Sequence, residues 1–115
     1  MSAPALLDLS RLEIALGGDA SLIRDILEMY ETTAAEDLAS LEQAVAAGDP
    51  DATTRKAHSL KGASANVGAE QVADVASRIE QFGRSGDVAG ASALRDELRR
   101  TFLSTVDACG AHRAA

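Results

Sequence analysis

Residues 19–50 read DASLIRDILEMYETTAAEDLASLEQAVAAGDP, and the order of apolar residues within this stretch decides the fold. Ile23, Ile26, Leu27, Tyr30, Ala34, Leu38, Leu41 and Val45 recur at every third or fourth position, the spacing of one face of an α-helix. Glu28, Glu31, Glu36, Asp37 and Glu42 fall mostly off that stripe and give the helix a wet side. Asp19 stands where an N-cap belongs and Gly48 where a helix stops. The stretch predicts one long amphipathic helix over about 20–47.

The same punctuation repeats downstream. Asp49 caps a next helix, and Pro50 takes its first position, where a missing N–H does no harm. That helix is expected over 50–67 and is broken by Gly68. Val72, Val75, Ile79 and Phe82 form the inward face of a helix over 69–85, which Gly83 and Gly86 close. Asp87 caps another over 87–109, with Leu94, Leu98, Phe102, Thr105 and Cys109 on one side, and the tail 110–115 is expected to fray. Upstream, a short amphipathic piece over 6–16 ends at Gly17-Gly18. Strand-like alternation and internal repeats are absent from the sequence. The expected fold is all-α: an antiparallel up-down four-helix bundle with an additional short N-terminal helix over one end, in a single domain spanning 1–115.

Composition agrees with this and narrows the function. With 115 residues, 46% hydrophobic and 25% charged, the chain has the balance of an ordinary globule with one core. Aromatic residues make up only 3%, so Ala, Leu, Val and Ile must fill that core. A net charge of −7 argues against nucleic acid and anionic membrane surfaces as partners. The single cysteine, Cys109, allows neither an internal disulfide nor a cysteine-based zinc site, which fits a reducing compartment. The opening MSAPALLDLSRLE has no basic region or long apolar run, so neither a secretory signal nor a membrane span is expected. A cytoplasmic, monomeric protein that binds no metal is the expectation.

The chemistry concentrates in residues 57–64, AHSLKGAS. At about 100° per residue, His58, Lys61, Gly62 and Ala65 share one face of the 50–67 helix, while Ala57, Leu60, Ser64 and Val67 face the other way. The ring therefore points outward, and Gly62 and Ala65 strip the neighbouring surface of bulk. Ser64 points inward, where its hydroxyl is expected to bond a backbone carbonyl. A neutral imidazole is a good nucleophile near pH 7, and a nearby lysine suits the charge of a phosphoryl group. Gly17-Gly18 lacks the GxxxxGK[ST] pattern of a nucleotide-binding loop. The chain offers a nucleophile without a nucleotide site. His112, in the tail, is expected to be unimportant.

The run His58-Ser59-Leu60-Lys61-Gly62-Ala63-Ser64-Ala65-Asn66-Val67-Gly68 resembles the motif of histidine-containing phosphotransfer (HPt) domains from multistep phosphorelays. In that motif a histidine is followed by a hydrophobic residue, lysine, glycine and small residues. Residues 69–83 also fit the family's next helix. The resemblance implies that His58 is phosphorylated on Nε2 by a receiver-domain phospho-aspartate and passes the group to a second response-regulator receiver. Lys61 would neutralise the phosphoryl group, with Gly62 and Ala65 giving clearance for a docking partner. Glu80 falls where relatives place a polar residue that orients the imidazole, several of them a glutamine. Arg84 matches a basic position of some relatives that could meet a receiver or the phosphate.

Partners implied by the resemblance are receiver domains and a hybrid histidine kinase, with Mg²⁺ supplied by the receiver and no cofactor bound by this chain. On that basis the protein is a phosphocarrier and not an independent enzyme. Two other readings stand beside this one. The chain could be a helical adaptor or inhibitor that signals by binding alone, although such a binder has no need of His58. It could also be the excised phosphotransfer domain of a hybrid or chemotaxis-type kinase, against which the Met1 start favours a free-standing protein.

Overall fold

The computed structural model describes residues 3–115; the Met1 start lies outside the described residues. The chain is all-helical, with six helices among those residues: α1 Ser10–Ala15, α2 Ala20–Ala46, α3 Pro50–Asn66, α4 Glu70–Arg84, α5 Val88–Ala93 and α6 Arg95–Ala114. Three of the starts follow from sequence chemistry. The carboxylates of Asp19, Asp49 and Asp87 accept hydrogen bonds from the backbone N–H groups of Leu22, Ala52 and Gly90. Each such cap stabilises its helix by about 1 kcal/mol. Gly48 and Gly86, which follow α2 and α4, hold positive φ angles of 67° and 78°, a conformation glycine adopts without steric cost.

The N-terminal segment departs from expectation. The helix expected over 6–16 is confined to Ser10–Ala15, because Asp8 accepts hydrogen bonds from both the N–H and the hydroxyl of Ser10 and starts the helix there. The residues before it form a strap across the α3–α4 turn. Asp8 N–H donates to the Gly68 carbonyl at 2.8 Å, Gln71 N–H donates to the Ala5 carbonyl, and Ala5 N–H donates to the Glu70 carboxylate. Leu9 is buried at the end of the strap. Gly68 has φ 77°, and a β-carbon there would lie 1.7 Å from the Asp8 carbonyl oxygen. Gly68→Ala is therefore expected to lift the strap, abolishing hydrogen-exchange protection of the Asp8 and Gln71 amides while α2 and α6 keep theirs. Unchanged protection of those two amides would refute the contact.

The last expected helix is divided. Leu94 separates α5 from α6, its N–H turning to the Ala91 carbonyl in a tighter, three-residue bond. Tertiary packing accounts for the break. A β-carbon at Gly90 would lie 2.5 Å from the Phe82 ring, so α5 is pressed flat onto α4 before α6 takes its own direction. The tail expected to fray is instead helical to Ala114. Arg113 pairs with Glu31 of α2 at 2.7 Å, and a cation in a last turn also complements the helix dipole.

Leu27, Leu41, Leu60, Val72, Ile79 and Leu98 are fully buried, each worth about 2 kcal/mol of transfer free energy. Tyr30 meets Phe102 edge-on, with ring centroids 6.5 Å apart. Its hydroxyl shares a 2.7 Å hydrogen bond with Ser64. Ser64 faces inward as its helical angle requires, but its partner is this cross-helix hydroxyl and not a backbone carbonyl. Burial pushes the Tyr30 hydroxyl up to about 12, so it stays protonated and serves packing.

Helix α3 packs most extensively against α4 and next against α2, leaving its third side to solvent. The α3–α4 approach is close where Gly83 sits. Gly83 does not close its helix, as its position near the end suggested. It is buried inside α4, and a β-carbon on it would lie 2.5 Å from Thr54 Oγ1 and 3.0 Å from Thr54 N.

Candidate functional site

His58 projects from the solvent side of α3 with its side chain 64% exposed. Gly62 and Ala65 are exposed beside it, and Ala57, Leu60 and Ser64 are buried behind it, the two faces that the helical angles separate. Among the described residues, nothing beyond its chain neighbours and its own helix backbone comes within 4 Å of a β-carbon built on Gly62. Intramolecular packing therefore does not explain this glycine, which costs a helix interior roughly 1 kcal/mol relative to alanine.

Glu80, contributed by α4, organises the site. Its side chain is only 4% exposed, and three basic groups converge on it. His58 Nδ1 lies 3.1 Å from Oε2, Arg84 Nη2 lies 2.6 Å from the same oxygen, and Lys61 Nζ lies 2.7 Å from Oε1. Burial raises the Glu80 carboxyl, but contact with Lys61 and His58 and the charge of Arg84 outweigh it, leaving the group below its ordinary value. It is thus ionised at neutral pH and can only accept hydrogen bonds. The hydrogen between the two residues belongs to His58 Nδ1. In the neutral ring, Nε2 then carries the free lone pair.

The structure brings four sequence-predicted residues, His58, Lys61, Glu80 and Arg84, into one cluster, with Gly62 and Ala65 on the open surface next to it. Arg84 turns its guanidinium onto Glu80 while its side chain stays 66% exposed. A shallow hollow lined by Lys61, Ser77, Glu80, Gln81 and Arg84 flanks the pair. Sequence reasoning gave Gly83 no part in the site, yet it sets the α3–α4 spacing one turn from Glu80. Its position just before the end of a helix read as a stop signal and hid that role. Asp37 of α2, assigned to a wet face, accepts a hydrogen bond from Ser59 at 3.2 Å and ties α2 to the outer surface of α3.

The family model described as the Hpt domain matches residues 25–108, which include all of α3 and α4 and every residue of the cluster. This chain belongs to the HPt family. Histidine-containing phosphotransfer protein B (HptB) from Pseudomonas aeruginosa PAO1 is similar in structure, with a TM-score of 0.87 and 31% identity over 98% of this chain and 97% of that one. No curated protein matches the sequence. As an HPt domain the chain has a phosphotransfer role in a phosphorelay, in the manner of a phosphocarrier and not of a kinase. Among the described residues of this HPt domain, no helix is long and apolar enough to cross a membrane.

Proposed function

We propose that His58 accepts a phosphoryl group from the phospho-aspartate of a receiver domain and passes it to a second response-regulator receiver, a hybrid histidine kinase being the upstream source. One observation carries this reading: an exposed imidazole whose Nδ1–H is held by a buried carboxylate, leaving Nε2 as the nucleophile. The Nε2 lone pair forms the bond to phosphorus as the bond to the aspartyl oxygen breaks, and the aspartate leaves as a carboxylate. Positive charge develops on the ring, and Glu80 stabilises it through Nδ1–H. The reverse sequence delivers the group to the next receiver.

Lys61 neutralises the phosphoryl oxygens, and Gly62 and Ala65 provide the clearance a docked receiver needs. Mg²⁺ is expected in the receiver, a reading supported by Glu80 already facing basic groups on both oxygens. The antiparallel four-helix bundle expected from the sequence is supported by the pairs Glu42–Arg99 and Glu31–Arg113, which order α2 and α6 in opposite directions. Incubating the protein with phosphorylated receiver domains should place acid-labile, alkali-stable label on it. Failure to accept label from any of the organism's receivers would overturn the proposal.

A further inference from the structure

Glu80 poses a problem for a nucleophilic histidine. A buried, uncompensated carboxylate bonded to Nδ1–H draws a second proton onto the ring, and an imidazolium has no lone pair with which to attack. The site carries a counterweight. Arg84 Nη2 sits on the same Oε2 that takes His58 Nδ1, at 2.6 Å and 3.1 Å. The guanidinium and the ring therefore lie within about 6 Å of each other, near enough for a cation to oppose protonation.

We propose that Arg84 is a positioning residue for His58 acting through Glu80: it offsets the carboxylate's charge and fixes Oε2 beneath Nδ1, so that the hydrogen bond orients the ring without charging it. This rests on the phosphotransfer reading and deepens it. Lys61 also touches the carboxylate, but its flexible ammonium is the group that turns to an arriving phosphoryl group. Arg84, one helical turn from Glu80 on α4, remains as the standing counter-charge. It therefore acts on the ring through the carboxylate that the two residues share.

The other charged groups near this face do not duplicate that arrangement. On α3, Asp51 and Arg55 line a separate hollow with Thr54, Gly83 and Arg84, and their charges oppose each other. From α2, Asp37 is held by Ser59. Helix α5, Val88–Ala93, has no titratable side chain.

Two readouts test the proposal. The first is the titration midpoint of the His58 imidazole, followed by NMR in the unphosphorylated protein. The second is the acid limb of the pH–rate profile for transfer from a phosphorylated receiver. In Arg84→Gln both should rise by about half a pH unit, and less at high salt because the guanidinium is exposed. Arg84→Lys should restore most of the wild-type behaviour. A His58 midpoint in Arg84→Gln that coincides with wild type would overturn the proposal. So would a rate loss that is uniform across pH and is relieved by raising the receiver concentration, the outcome of simple docking. If wild type accepts no label, the phosphotransfer reading fails, while the NMR midpoint still reports on Arg84.

Discussion

His58→Gln is expected to accept no label from a phosphorylated receiver, at any receiver concentration, while its far-UV circular dichroism and thermal midpoint stay close to wild type. The chemical half of this expectation follows from the nucleophile: an amide nitrogen has no lone pair free for attack on phosphorus, and the neighbouring Lys61 is an ammonium. The other histidine, His112, lies in the last turn of α6, a helix that packs against α2 and α4, and is not placed to substitute. The structural half follows from exposure. The ring is 64% exposed, so its removal opens no cavity, and Lys61 and Arg84 still neutralise Glu80. The stability change should be about 0.5 kcal/mol or less, as for other surface substitutions. Acid-labile label on His58→Gln would remove the residue from its role, and a collapsed midpoint would show that the ring holds the fold.

That separation of chemistry from stability was legible in the sequence because a helix has a fixed angular period. His58, Lys61, Gly62 and Ala65 could be put on one face, and Ala57, Leu60 and Ser64 on the other, from numbering alone. Long helices with aspartate caps and terminal glycines were legible for the same local reason. The features that were not legible depend on contacts between distant segments. Leu6, Leu7 and Leu9 have a helical rhythm, yet the strap's backbone bonds go to the α3–α4 turn some 60 positions away. Leu94 is a good helix former, and the break there comes from α5 lying against Phe82. Glu80 shows this most clearly. Carboxylates are seldom buried unless paired, and two of its three partners come from α3. The family resemblance pointed to Glu80 as the partner of the imidazole and the i,i+4 spacing pointed to Arg84, but the burial of the carboxylate and its contact with Lys61 were not visible beforehand.

The two glycines inside α3 and α4 should respond to substitution in opposite ways. Gly83→Val is expected to cost about 3 kcal/mol and to slow transfer as well. Its β-carbon would lie 2.5 Å from Thr54 Oγ1, which is already fixed by donating to the Pro50 carbonyl, and 3.0 Å from Thr54 N, which is backbone. The helices can relieve that overlap only by separating, and overpacking of this kind costs 1–3 kcal/mol before the added methyl groups are placed. Thr54 is one turn before His58, and Gly83 is nearly one turn after Glu80. The same separation therefore stretches the 3.1 Å bond that orients the ring. Gly62→Ala should do the reverse and stabilise the fold by up to about 1 kcal/mol, since its β-carbon meets nothing and the helix gains propensity. Gly62→Leu should fold about as well yet transfer slowly, because its side chain would project from the exposed face beside His58 into the space a docked partner needs. Thermal midpoints and single-turnover transfer rates for the three variants separate these effects. A stable Gly83→Val would mean that α3 and α4 do not meet so closely, and undiminished transfer by Gly62→Leu would mean that the open surface beside His58 is not where a receiver docks.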